Sequence, residues 1–241
     1  MCTVIVRVPA SSHEPVRLLA VRDEDPTRPW QPLGAWWPDR PGVVGVRDVR
    51  AGGAWLAMDA AGPRLAVLLN RASPPVPDGV TQLSRGGIVL DAVAGRSPHP
   101  SPAVLGFNLV EVAPQGVRVL TWDGVSRSET SVPPGVHMIA HDDLDDQRTP
   151  RIVAWRDAFA QVADEPDWQR AWLDVLGRSA RLGPDDDRAI IRDNRAHGYP
   201  TQSLLLCTAT IGRDGAEVRY GEFARPGMWN EVALVAPLAA R

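Results

Sequence analysis

Lysine is absent from the 241 residues, and all 26 basic side chains are arginine. This excludes the chemistries that need a lysine amine: Schiff bases with pyridoxal or a carbonyl substrate, the P-loop lysine and the protein-kinase lysine. Cysteine is nearly absent too; Cys2 and Cys207 are too few for a disulfide framework. There are three Phe and two Tyr against nine Trp. Long apolar runs are missing: the longest, 103–110 and 203–211, fall far short of the ~18 residues of a membrane helix. The first fifteen residues have neither the basic segment nor the apolar stretch of a secretory signal. The expectation is a cytoplasmic protein without membrane insertion. With 29 acidic residues the formal charge is −3 and the two signs are interspersed, so the basic stripe required by nucleic acid is missing.

What is present suffices for a packed core: 44% hydrophobic and 23% charged residues. Pro 23 and Gly 21, without a collagen period, imply many turns joining short strands. Runs rich in Val, Leu and Ile predict strands at 2–8, 16–22, 43–49, 54–59 and 64–70, then a helix near 87–94. After the proline-rich link 97–102, strands are expected at 103–112, 117–122, 126–132 and 136–140. Ile152, Trp155, Phe159 and Val162, and then Trp168, Ala171, Trp172, Val175 and Leu176, recur at helical spacing. The chain closes with strands at 203–211 and 216–222 about the turn Arg213-Asp214-Gly215, and a last piece around 229–234. These elements predict one α+β domain over residues 1–241, with mostly antiparallel sheets and helices on their faces.

Cys2 is the most informative residue. Removal of the methionine before a small residue would leave a cysteine with a free α-amine, joining a thiol nucleophile to a base of pKa about 7.7–8.0. The segment 9–15 reads as the turn of a hairpin, and a hairpin centred near residue 12 pairs position 2 with position 22. That would bring Arg22 and Asp23 beside Cys2, at Cβ separations of about 4.5–5.5 Å across the strands. The alternative is a small buried strand cysteine next to a solvated turn.

Further residues carry a family resemblance. Met1-Cys2, Arg22-Asp23-Glu24 with Arg28-Pro29, Trp36-Trp37, Gly45-Val46-Arg47-Asp48 and Ala51-Gly52-Gly53-Ala54-Trp55-Leu56 resemble the NRDE family, also called the transport and Golgi organisation protein two family. So do Leu69-Asn70-Arg71, Gly106-Phe107-Asn108-Leu109, Pro134-Gly135-Val136-His137 and Thr201-Gln202-Ser203. The resemblance implies an N-terminal-nucleophile hydrolase-like fold, a four-layer αββα sandwich. By the same resemblance Cys2 would be the nucleophile, Arg22 and Asp23 its partners, and Asn70 the oxyanion donor. The substrate would be a small non-peptide amide, cleaved at its C–N bond. Three positions depart from the pattern: Val21 stands where the family has Asn, His141 where relatives have Asn, and Gln202 where they have Arg; His141, which can still donate a hydrogen bond, and Gln202, which loses a fixed charge, stay among the candidate catalytic residues. The other reading the resemblance raises is non-catalytic: binding and trafficking of haem, acyl-coenzyme A or lipid. No cofactor is called for otherwise, and the expected partner is a small-molecule substrate or ligand.

Other constellations are weaker. Trp36 and Trp37 between prolines could line a ligand pocket with Asn108, or pack over the sandwich. His137 and His141 have an H-x-x-x-H spacing that could serve a metal only on a helix, and the sequence around them favours a strand. No metal site is assigned. Gly52-Gly53 reads as a tight turn and Asp185-Asp186-Asp187 as the amino-terminal cap of a helix. Glu24 with Arg28 reads as a structural ion pair, Arg47-Asp48 either as the same or as residues facing the pocket, and Cys207 as an inert core thiol.

Overall fold

The computed structural model describes residues 2–238. Two antiparallel sheets face each other. Strands β1 (Thr3–Val8), β2 (Val16–Glu24), β10 (Gly135–Ile139), β11 (Gln202–Gly212) and β12 (Gly215–Glu222) form a five-stranded sheet in the order β10-β1-β2-β11-β12. The other sheet runs in sequence order through seven strands: β3 (Trp30–Gly34), β4 (Val43–Asp48), β5 (Ala54–Asp59), β6 (Arg64–Asn70), β7 (Phe107–Ala113), β8 (Gly116–Trp122) and β9 (Arg127–Val132). Helix α1 (Gly86–Val93) covers the seven-stranded sheet; α2 (Pro150–Gln161) and α3 (Trp168–Ser179) cover the other. The result is an α+β, αββα sandwich.

Alternation along the strands creates the layers. Val4, Val6 and Val8 of β1 and Leu18 and Ala20 of β2 enter the core between the sheets, against Val67 and Leu69 of β6. Ile5, Leu19 and Val21 point the other way, onto Phe159 of α2 and Trp172 and Val175 of α3. A third apolar layer joins Ala66, Leu68 and Leu109 to Val89 and Val93 of α1. The tryptophans of α3 are packing residues: Trp172 meets Phe159 edge-on at 5.6 Å and Trp168 at 5.0 Å. Asp167 caps α3 by accepting from the Arg170 amide. No helix among the described residues is long and apolar enough to cross a membrane.

The differences from expectation have local causes. Strand β3 escapes the sequence pattern because it holds Gln31 and Pro32; it is an edge strand whose register shifts between Gln31 and Gly34. The apolar run expected to start a strand at 103 does so only at Phe107, because Val104 turns back to Ser101 and Leu83. No helix follows Asp185-Asp186-Asp187: these residues lie in turns, with Asp186 paired to Arg188 and Asp187 to Arg192. The last piece near 229–234, to which the sequence assigned no element type, is irregular, and an isolated bridge just beyond it joins Tyr220 to Val235.

Candidate active site

Cys2 immediately precedes β1 and is 8% exposed. Thr3 pairs with Val21 on one side and Val4 with Ile139 on the other, so the two registers carry Cys2 between Arg22 and His141. The side chain belongs to the core between the sheets, on the face of Val4 and Val6. Its Sγ donates to the Asp23 carbonyl at 3.6 Å. Burial, and after it the Asp23 carboxylate, push the thiol above its ordinary pKa; the Arg22 charge opposes this by less.

A cavity of about 160 Å³ opens beside Cys2. On the five-stranded side it is lined by Arg22, Asp23 and Glu24 at the end of β2. Arg28, Asp48, Ala51 and Trp55 follow, and Asn70, Arg85 and Gly86 close it from the seven-stranded side. A chain of charges runs along one wall. Arg22 Nη2 reaches Glu24 Oε2 at 3.4 Å, Arg28 Nε lies 3.9 Å from the same oxygen, and Arg28 Nη2 bonds Asp48 Oδ2 at 2.7 Å. Asp48 Oδ1 in turn accepts the Ala51 amide, tying the β4–β5 turn to the cavity. The second glycine of that turn is required by contact: a Cβ on Gly53 would lie 1.9 Å from the Gly86 carbonyl oxygen. The turn thus sits against the start of α1, whose own first residue borders the cavity.

Behind this wall a second polar group faces the helices. Asp23 Oδ1 accepts from Ser203 Oγ at 2.6 Å, while that Oγ accepts the Arg192 amide at 2.8 Å. Arg151 of α2 donates from Nη1 to Thr3 Oγ1 at 3.1 Å. Burial brings Arg151 down to about 10, with Asp23 resisting, so it stays cationic at neutral pH. His141 has its Nε2 3.2 Å from Asp142 Oδ2, and its buried Nδ1 has no partner among the described residues. Burial lowers its pKa, Asp142 opposes, and the Arg151 and Arg192 charges lower it further. His141 is therefore a neutral imidazole at pH 7.

The cavity brings together Cys2, Arg22, Asp23 and Asn70, and leaves the remaining sequence candidates outside its lining. His141 lies two residues beyond the end of β10, at the register position next to Cys2. Gln202, opposite Glu24 on β11, is turned away: its Nε2 donates to Asp193 Oδ2 at 3.0 Å and to the Pro226 carbonyl at 3.4 Å. Asn108 is fully buried and holds the segment after β10, donating to the Asp142 carbonyl at 2.8 Å and accepting from Thr121. Trp36 and Trp37 pack in the α1 layer, their indole N–H groups donating to the carbonyls of Pro32 and Gly52. His137 lies on strand β10, which ends before His141, and its Nδ1 is 2.6 Å from Asp145 Oδ2. Among the described residues no group of three or more His, Cys, Asp or Glu side chains is placed to hold a metal ion. Cys207 is buried among apolar residues, which push its thiol far up. Sequence reasoning missed Arg85, Arg151 and Arg192 as neighbours of the site, and gave Trp55, though it stands in a segment that carries the family resemblance, no role there. The only signal of the three arginines was a basic residue beside a helix start or strand, which is no signal without the fold.

The αββα sandwich of two antiparallel sheets is N-terminal-nucleophile hydrolase-like in fold. A solved Caenorhabditis elegans N-acylethanolamine-hydrolyzing acid amidase ortholog superposes with a TM-score of 0.51. It covers 86% of this chain and 92% of its own at 9% identity, a likeness of fold alone. The chain belongs to the Transport and Golgi organisation 2 family, whose family model matches residues 1–176. No curated protein matches the sequence.

Proposed function

We propose that the chain, once Met1 is removed, is a Cys2-dependent hydrolase of a small non-peptide amide. The observation that supports this most directly is the position of Cys2: buried at the start of an inner strand, in register with Arg22 and beside a cavity also lined by Asn70. The raised thiol pKa means that a proton acceptor is needed at neutral pH. Arg22 stays charged and cannot serve as that base. The α-amine of a processed Cys2, with its ordinary pKa near 8, can.

In this reading the amine takes the thiol proton as Sγ attacks the amide carbon, and the carbonyl oxygen becomes an oxyanion. An Asn70 N–H donating there would supply about 3–4 kcal/mol of transition-state stabilisation. The C–N bond then breaks, the ammonium returns its proton to the leaving amine, and a Cys2 thioester remains. Water adds to the thioester, the C–S bond breaks, and the acid leaves as the thiol is restored. Arg22 offsets negative charge at sulfur, and Asp23, held by Ser203, keeps the strand end in place.

The test is intact mass before and after iodoacetamide. A mature chain beginning at Cys2, singly modified there and inactive as Cys2→Ala, is the expected result. A native active chain that retains Met1 overturns the proposal. A second reading, non-covalent ligand binding, has support from a cavity of about 550 Å³ at the opposite end of the sandwich, between Pro9–Ser12 and the β7–β8 turn. For that reading Cys2→Ala leaves ligand affinity unchanged.

A further inference from the structure

The arginines around the Cys2 cavity are unequally answered. Arg28 has Asp48 and Glu24, and Arg22 has Glu24. Arg85, just before α1, donates from Nη1 to the Gly106 carbonyl at 2.8 Å, and among the described residues no carboxylate forms an ion pair with it. It is half-buried; burial lowers its pKa, and the Glu24 carboxylate across the cavity opposes this without forming an ion pair. Two further donors belong to residues of the same lining: Arg22 Nη1 and Trp55 Nε1 are buried without an acceptor among the described residues. Helix α1 begins at this wall with no side-chain cap and no acidic residue in its first turn. The lining's carboxylates Asp23, Glu24 and Asp48 match its three arginines in number, yet N–H donors converge here beyond what the protein's own acceptors satisfy.

We propose that the Arg85 side of the Cys2 cavity is a carboxylate subsite, so that the amide cleaved at Cys2 carries a carboxylate close to its scissile bond. The identification of this ligand as a substrate rests on the hydrolase reading above; the anion site itself does not. A planar guanidinium matches a carboxylate with two parallel N–H···O bonds, and a ligand carboxylate would supply the counter-ion that Arg85 lacks. Size limits the ligand. A volume of 160 Å³ is that of about five waters at ~30 Å³ each, enough for a short acyl group, one amide and a carboxylate.

The experiment is thermal unfolding of the full-length Cys2→Ala chain with N-acetylglycine, with N-acetylglycinamide, or with inorganic phosphate, at equal concentration and ionic strength. N-acetylglycine at about ten times its Kd is expected to raise Tm by roughly 3 °C, and the neutral amide by less than a third of that. Arg85→Gln should abolish the difference. Arg85→Lys, which retains the charge and equally loses the guanidinium contact to Gly106, should restore part of it. Equal responses to acid and amide, no response to either, or a full response in Arg85→Gln overturns the proposal. So does an Arg85→Lys response no larger than that of Arg85→Gln, or stabilisation by phosphate exceeding that by N-acetylglycine. Because the thiol is absent, the outcome is independent of whether Cys2 attacks a substrate; failure of Cys2 to react with iodoacetamide bears on the hydrolase reading alone.

Discussion

His141 illustrates how one side chain registers its surroundings. In the unfolded chain its pKa is near 6.5; in the fold, burial and the charges of Arg151 and Arg192 outweigh Asp142 and lower it. A lowered folded-state value means that the unfolded chain binds the proton more readily. The stabilisation from a neutral His141 is thus complete above pH about 6.5 and is lost as pH falls through that value toward the folded-state one. Melting temperatures taken from pH 7.5 down to 5 should fall more steeply for the native protein than for His141→Gln. Parallel curves would show that the imidazole does not titrate as described. The sequence marks His141 only as a departure from the family pattern, whereas its place beside Cys2 comes from β10, 130 residues along the chain, arriving against β1. Arg22 is different: the turn at 9–15 alone sets the hairpin register that brings it opposite Cys2.

At the scale of elements, the β4–β5 turn and the start of α1 act as one unit. Gly52 has a positive φ of 71° and open space where a Cβ would go, so Gly52→Ala meets only backbone strain, about 1 kcal/mol. Gly53→Ala would drive a methyl into the Gly86 backbone and must separate turn from helix, at a cost of about 1–3 kcal/mol or more. Urea unfolding of the two variants should rank Gly53→Ala as clearly the worse, and equal midpoints would argue against the close approach. Only half of this was legible: a Gly-Gly pair signals a turn, but not the helix packed on it. Strands β5 and β6 were read to the residue because alternating apolar side chains face two buried layers. Strand β3 was not, because an edge strand tolerates Pro32 and polar Gln31, which carry no alternation.

At the scale of the whole molecule, the first sheet is assembled from both ends of the chain: β1 and β2 at the start, β10 in the middle, β11 and β12 near the end. The seven-stranded sheet, by contrast, is a meander of neighbours whose order could be followed along the sequence. Nothing local announces that β11 docks beside β2, yet that pairing brings Ser203 to Asp23 and completes the support behind Cys2. The division explains why the α+β class could be anticipated by strand counting, the αββα layering by resemblance and Arg22 by its hairpin, while Ser203 and the placement of His141 could not.

The inner position of β1, between β10 and β2, also imposes an order in time. Until some 130 further residues have been synthesised, the start of the chain has no β10 to lie against and remains open to a processing enzyme. After folding, Cys2 is buried directly before a strand that is paired on both sides. On the reading that Met1 is removed, maturation must precede the closing of the sheet. Folded protein still bearing Met1 should resist methionine aminopeptidase, whereas the same protein unfolded in mild urea, at a concentration the enzyme tolerates, should release methionine; equal release from both would mean that the folded terminus stays accessible. The nucleophile would then be set once, during synthesis, and a chain that missed that interval could recover only by unfolding.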